Sequence, residues 1–302
     1  MSTTPVAATA MVPVERTVRR LGWLAGWCGA LAVAAYGVLV WTSWGQRGDD
    51  EAWVSRGAID HPDLLVDRDL LGVVTVAGLV VTLVLLAAVG LARRTPRRAL
   101  VAAAGFAGAV VTAEVLRRVL PRPGLDDVWA DVLGEKAFNT FPSGHATIAT
   151  ASALALVLVS APAWRRWVGL AGIAWASLVG IATVASGWHR PSDALGGVLL
   201  AGLWLSGVAA WWVARAGRPG PSRRMAYGLP WGLGLVFVVA VELWWSRSGI
   251  GTGVGKAGGT EVLVYVLGQA LVVLAVVVLL TTYGPLMHHV VLEPEDGDGR
   301  PG

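Results

Sequence analysis

Charge is what this chain has least of. Only 15% of its 302 residues are Asp, Glu, Lys or Arg, against 55% that are hydrophobic, whereas soluble domains run near a quarter charged. That shortage argues against a cytosolic globular protein, and the apolar content argues against disorder. Cysteine is almost missing. Cys28 is the single one and lies in an apolar run, so a disulfide scaffold is excluded and the thiol reads as a small buried hydrophobe. Glycine has no triplet period, which excludes a collagen-like chain. Lysine is confined to Lys136 and Lys256. The net charge of +4 and the pI near 9.7 therefore come from arginine. Those arginines lie between apolar runs, which points to membrane orientation and away from nucleic acid.

What is present is a series of long apolar runs, with a mean hydropathy of +0.62 over the chain. Eight approach the roughly 20 residues a membrane helix needs: about Leu21–Trp44, Leu70–Leu91, Ala99–Leu120, Ala146–Ala161, Trp167–Ala185, Ala194–Ala214, Ala226–Trp245 and Val262–Tyr283. The fourth is short. The first has too long an apolar core for a cleaved signal peptide, and no clear cleavage site follows it. The reading is an all-α integral membrane protein of eight spans. Residues 1–20 and the acidic 284–302 are expected to be disordered, 21–215 to form a membrane core, and 216–283 to add two helices.

The segments between runs alternate in charge. Arg16, Arg19 and Arg20, then Arg93, Arg94, Arg97 and Arg98, then Arg165 and Arg166, then Arg215, Arg218, Arg223 and Arg224 put thirteen arginines on one side. The segment after the first run holds seven Asp or Glu against three Arg. By the positive-inside rule both termini are cytoplasmic, and the segments after runs one, three, five and seven face outward. Sixteen tryptophans, many near run ends, read as interfacial anchors. The Gly-rich 249–259 stretch reads as a linker, since it lacks the strand–helix context of a phosphate-binding loop.

Of five histidines, His61, His288 and His289 read as interfacial polar residues. The other two fall at the outward face. His145 closes Phe141-Pro142-Ser143-Gly144-His145, and His189 lies in Gly187-Trp188-His189-Arg190-Pro191-Ser192-Asp193. A third outward segment, Arg117-Arg118-Val119-Leu120-Pro121-Arg122-Pro123, adds arginines at the same level. Arginine forks suit phosphate oxygens. Ser143 and the N–H groups of a Ser-Gly pair opening a helix add anion donors. One imidazole can attack phosphorus while the other protonates the leaving oxygen, and Asp193 can fix the tautomer of His189. Two His and an Asp are possible zinc ligands by type, but no H-E-x-x-H or third well-spaced ligand occurs, and the arginines would repel a cation. No metal and no cofactor is expected.

At these residues the chain resembles the type 2 phosphatidic acid phosphatase superfamily, which shares its active-site plan with vanadium haloperoxidases. The family pattern is K-x6-R-P, then P-S-G-H, then S-R-x5-H-x3-D. Pro142–His145 matches the second part in full, and His189 with Asp193 matches the end of the third. The resemblance covers about Leu70 to Ala214, or a six-helix phosphatase core if the first run is included, leaving the last two runs as additions. It departs twice. With Arg122-Pro123 aligned to the family Arg-Pro, Val115 stands where Lys is expected; in another register Arg117 replaces that Lys. Ala182-Thr183 stands where the family has Ser-Arg, and Arg190 or Arg118 are the candidate substitutes. An arginine restored at Thr183 is expected to be tolerated.

The resemblance implies a metal-independent lipid-phosphate phosphatase in the cell membrane, its site facing outward. Arg117, Arg122, Ser143 and Gly144 would hold phosphate, with Arg118 and Arg190 in reserve. His189, oriented by Asp193, would attack, and His145 would protonate the leaving group. The lipid, polyprenyl or glycerophospholipid, would stay in the bilayer. Arginine use over lysine with much Ala, Val and Gly suggests a GC-rich genome and leans toward a bacterial envelope lipid. Two rivals are a non-catalytic lipid-phosphate binder that has lost the clamp, favoured by Ala182-Thr183, and a transporter, for which charges within runs (Glu114, Glu242) are few. The topology is tested by cysteine-accessibility labelling on a Cys28→Ala background: single cysteines near the termini should resist a membrane-impermeant reagent in intact cells, and labelling of either from outside refutes the orientation.

Overall fold

The computed structural model describes residues 11–56, 68–125, 139–221 and 259–292. Helix α1 (Val14–Ala35) runs on through a π-helical turn (Tyr36–Val40). Its start corrects the expectation of disorder up to residue 20: arginines are good helix formers, so Arg16, Arg19 and Arg20 extend the apolar helix toward the chain start. The helix ends at Trp41. Thr42 then caps a new one, its Oγ1 accepting from the Gly45 N–H at 3.1 Å. This is α2 (Ser43–Ser55), in a stretch expected to be an outward loop.

The remaining helices are α3 (Arg68–Ala92), α4 (Pro96–Val119), α5 (Gly144–Val159), α6 (Pro162–Ala185), α7 (Pro191–Ala216) and α8 (Gly259–His288). Three of them open on proline, whose missing N–H costs nothing in a first turn. Among the described residues six helices are long and apolar enough to cross a membrane, and α5 is a shorter seventh. The expected span Ala226–Trp245 lies outside the described residues. Seven of the eight expected runs are thus apolar helices among the described residues.

The short helix sits at the centre. At about 1.5 Å per residue α5 is roughly 24 Å long, less than the hydrocarbon core of about 30 Å. It packs against α3, α4, α6, α7 and α8, and nearly all of its side chains are buried. Its run of Ala, Thr and Ser suits close helix approach in a membrane, where interfaces favour small residues. At Gly172 of α6 an added Cβ would meet the Ala153 Cβ at 2.6 Å.

A small three-stranded antiparallel sheet closes one end. Strands β1 (Met11–Val12), β2 (Arg218–Pro221) and β3 (Val290–Val291) pair in that order. Together they place the start of α1 and the ends of α7 and α8 at one end of the bundle. The strand at 290–291 also places ordered residues inside the expected tail of 284–302. Arginines serve this end as caps. Arg165 is 1% exposed; it donates from Nε to the Ser160 carbonyl at 3.2 Å and from Nη1 to the carbonyls of Met287 and Val290. Arg98, equally buried, donates to the Leu292 carbonyl, and Arg93 donates to the Val159 carbonyl at the end of α5 at 2.6 Å. Helix ends leave carbonyls without partners, and these guanidiniums supply them.

Arg165 is therefore a structural residue. Arg165→Ala should cost about 2–3 kcal/mol by stranding buried acceptors, seen as a lowered thermal midpoint in detergent. Arg166→Ala, which removes an exposed guanidinium lying over Trp167, should leave the midpoint unchanged.

Candidate active site

At the other end of the bundle three irregular segments meet between α2 and the starts of α5 and α7. The first is Leu120–Leu125, after α4. Gln46 of α2 holds it, donating to the Pro123 carbonyl and accepting from the Leu125 N–H at 3.1 Å. The second is 139–143, which ends in a cis Phe141–Pro142 bond. The third joins α6 to α7. Its turn needs the Gly187 φ of +71°, a conformation that costs glycine least. The Thr183 carbonyl organises this turn by accepting from the Trp188 and His189 N–H groups, both at 3.1 Å.

Ser143 is fully buried. Its Oγ accepts from the Ala146 N–H at 3.3 Å, and its own N–H donates to the Asp193 carbonyl at 2.8 Å. It thus caps α5 and ties it to α7, as N-cap serines do. The two helices touch at Gly197, where an added Cβ would lie 2.5 Å from the Ser143 carbonyl oxygen. This contact fixes the relative height of the two histidine segments.

The consequence is a cavity of about 620 Å³ that His145, His189, Gly144, Arg117 and Arg190 all line. The two imidazole centroids are 5.7 Å apart, and Trp188 meets His145 edge-on at 4.7 Å. Nδ1 of His189 faces Asp193 Oδ2 at 3.5 Å, longer than a good hydrogen bond. That oxygen is held in place by the Thr140 hydroxyl at 2.5 Å and the Arg190 N–H at 2.9 Å. Nε2 of His145 is buried with no hydrogen-bond partner.

Other expected phosphate ligands lie elsewhere. Arg122, its side chain only 3% exposed, points to α2 and pairs with Asp49 at 3.2 Å and Asp50 at 3.5 Å. It does not line the cavity. Arg118 is largely exposed and pairs with Glu114. Ser143 sits behind the wall as a cap. Arg190 reaches the cavity, but its Nε already donates to Asp50. Asp49 completes the group by accepting from the Ser192 N–H at 2.9 Å and the Ser192 hydroxyl at 2.6 Å. Burial pushes the Asp49 carboxyl up to about 6, while Arg122 pulls it down. The expectation that arginine fits at 183 is corrected. Thr183 is fully enclosed, with its hydroxyl on the Gly180 carbonyl, and a guanidinium there would have to displace packed helix.

Sequence reasoning missed Asp49, Asp50, Trp53 and Thr140. Trp53 lines the cavity and donates to the Gly187 carbonyl at 3.2 Å. The available signal was Thr42 as a cap, followed by apolar and acidic residues at helical spacing. Glu114 was noted only as a charge within a run; it lines the cavity and accepts from Arg117 at 2.8 and 2.9 Å.

A bundle of apolar helices whose paired histidines, carboxylate and arginines line one cavity holds the bases and cationic donors that phosphoryl chemistry uses. Residues 99–217 match the family model of the PAP2 superfamily. This stretch, from the first turn of α4 to the end of α7, holds the three site segments and is similar to that superfamily, whose members are phosphatases. No curated protein and no solved structure matches the chain.

The α5–α7 contact yields a direct test. Gly197→Ala should separate the helices at Ser143 and cost about 1–3 kcal/mol in thermal unfolding. Gly207→Ala, whose Cβ would meet nothing within 4 Å, should be silent.

Proposed function

We propose that the protein is a phosphatase for a membrane lipid phosphate, working through a phosphohistidine at the outward face. The observation that carries this reading is the His145–His189 pair, 5.7 Å apart, in a cavity shared with Arg117 and backed by Asp193. With Nδ1 turned to Asp193, Nε2 of His189 is the free nucleophile. It attacks phosphorus, the P–O bond to the lipid breaks, and protonated His145 gives its proton to the leaving oxygen. In the second step His145 takes a proton from water, the water oxygen bonds to phosphorus, and the P–N bond breaks. Phosphate leaves and both imidazoles return to their starting states.

The charge on phosphate is met by Arg117 and Arg190 and by the N-terminal N–H groups of α5 at Gly144. No metal is assigned a part. Leu79, Val110 and Ile148 give the cavity an apolar wall, which suits a substrate whose chain remains in the bilayer. The arginine distribution supports the outward orientation. The rival reading, a non-catalytic lipid-phosphate binder, has buried Thr183 in its favour.

Phosphate release from a panel of lipid phosphates separates the two. The wild type should turn over with or without chelator. His189→Ala should abolish turnover, and Asp193→Asn should lower it by about 10³–10⁴-fold, the scale of a mis-set tautomer in a comparable triad, with folding unchanged. Near-full activity in His189→Ala refutes the phosphohistidine route. Phosphate-lipid binding without release by the wild type establishes the non-catalytic reading.

A further inference from the structure

Helix α8 lies outside the matched stretch of 99–217, and the sequence reads it as an addition to the core. Its packing ties it to the site. It lies against α6 and α7, the two helices joined by the turn that carries His189. It also lies against α2, whose Trp53 donates to the Gly187 carbonyl of that turn. The closest approach is at Gly268. An added Cβ there would lie 2.7 Å from Cγ and 3.2 Å from Cβ of Pro191, and 3.6 Å from the Ala52 Cβ. Glycine lets the α8 backbone seat directly on the first residue of α7, as small residues do between membrane helices. Pro191 gives this seat a rigid face. Its ring fixes φ and has no rotamer that swings clear, so a push on it passes to Arg190, Ser192 and Asp193.

The next residue grips the other side of the turn. Gln269 is fully buried, and its Nε2 donates to the Ile181 carbonyl at 3.3 Å and to the Tyr265 hydroxyl at 2.8 Å. Polar side chains inside apolar helices are few, and hydrogen bonds between helices are one use of them. Ile181 stands two residues before Thr183, whose carbonyl accepts from the Trp188 and His189 N–H groups. Val272 adds to this grip: a Cβ added at Gly180 would meet its Cγ1 at 2.9 Å. One helix thus holds the last turns of α6 through Gln269 and Val272 and the first residue of α7 through Gly268.

We propose that α8 is a positioning element of the site, in which Gly268 and Gln269 set the span of the 183–191 turn and so hold His189 against Asp193. This rests on the phosphatase reading above and assigns that reaction positioning residues outside the matched stretch. No described residue of α8 lines the cavity, so both act through Pro191 and Ile181. Pro191 stands between His189 and Asp193, which are 3.5 Å apart at Nδ1 and Oδ2. Moving it alters the pairing that orients the attacking imidazole. Arg117 and Gly144 reach the phosphate from α4 and α5, so the effect falls on kcat more than on KM.

The test compares two glycines in the full-length protein in detergent. Gly268→Ala should lower kcat by at least about tenfold, since misplacement of a reacting group by about 1 Å can cost about 10²-fold. Its KM should stay within about threefold of the wild type. Gly172→Ala, whose Cβ meets Ala153 Cβ at 2.6 Å in the half of α6 nearer the sheet, serves as the packing control. It should lower the thermal midpoint by a similar amount and leave kcat unchanged. Adding Pro191→Ala to Gly268→Ala removes the blocking Cγ and should return kcat to that of Pro191→Ala alone. Equal kcat in the two glycine variants, or no rescue by Pro191→Ala, overturns the proposal. If Gly268→Ala does not fold, Gln269→Leu decides: it removes the donor to Ile181 in an apolar helix, and a kcat equal to that of the wild type overturns the proposal. A wild type that releases phosphate from no lipid refutes the phosphatase reading instead. The imidazole nitrogen shifts of His189 in histidine-labelled protein then decide the role of α8: they should move in Gly268→Ala and stay in place in Gly172→Ala, and equal shifts in both overturn it.

Discussion

The site depends on a buried match of two carboxylates with two guanidiniums. Asp49 and Asp50 of α2 meet Arg122 from the segment after α4 and Arg190 from the segment before α7. Charges taken out of water are tolerated only when paired, and removing one partner of such a pair costs about 3–5 kcal/mol. Neither segment can leave α2 without stranding a charge. The same Asp49 holds the first turn of α7 through Ser192, and that turn carries Asp193. The orientation of His189 therefore rests on a helix that lies outside the matched stretch of 99–217.

Close packing does the rest of the positioning. Because α5 is short and edged with small residues, its N-terminus starts inside the bundle, with Gly144 and His145 on the cavity wall. A longer helix with bulky side chains would carry those residues out of the bundle. Gly197 and Ser143 then set α5 against α7, so the two imidazoles face one another across a fixed gap.

The arginines divide their work by end. At the sheet end Arg93, Arg98 and Arg165 satisfy helix carbonyls. At the site end Arg117 and Arg190 reach the cavity with Glu114 and Asp50 already at their guanidiniums. Binding an anion there exchanges one oxyanion for another. Such exchange favours a compact, highly charged phosphoryl group over weaker anions.

The sequence alone determined the membrane class, the spacing of the apolar helices from α3 onward and the two histidine motifs, because these are local. An apolar run declares a span by its length, and Pro142–His145 with His189 and Asp193 carry their chemistry in short stretches. It misread what depends on distant partners. Arg122 and Arg117 are equivalent donors in sequence; only packing sends one to Asp49 and Asp50 and the other to the cavity. Residues 43–55 looked like an acidic loop because charged side chains usually face water, and their partners, Arg122, Arg190 and Ser192, lie far along the chain. Thr183 gave no hint that it is too enclosed for arginine. Tertiary structure decided these points because a buried charge is placed by whichever opposite charge the fold brings to it, and that choice is not encoded in either residue's neighbours.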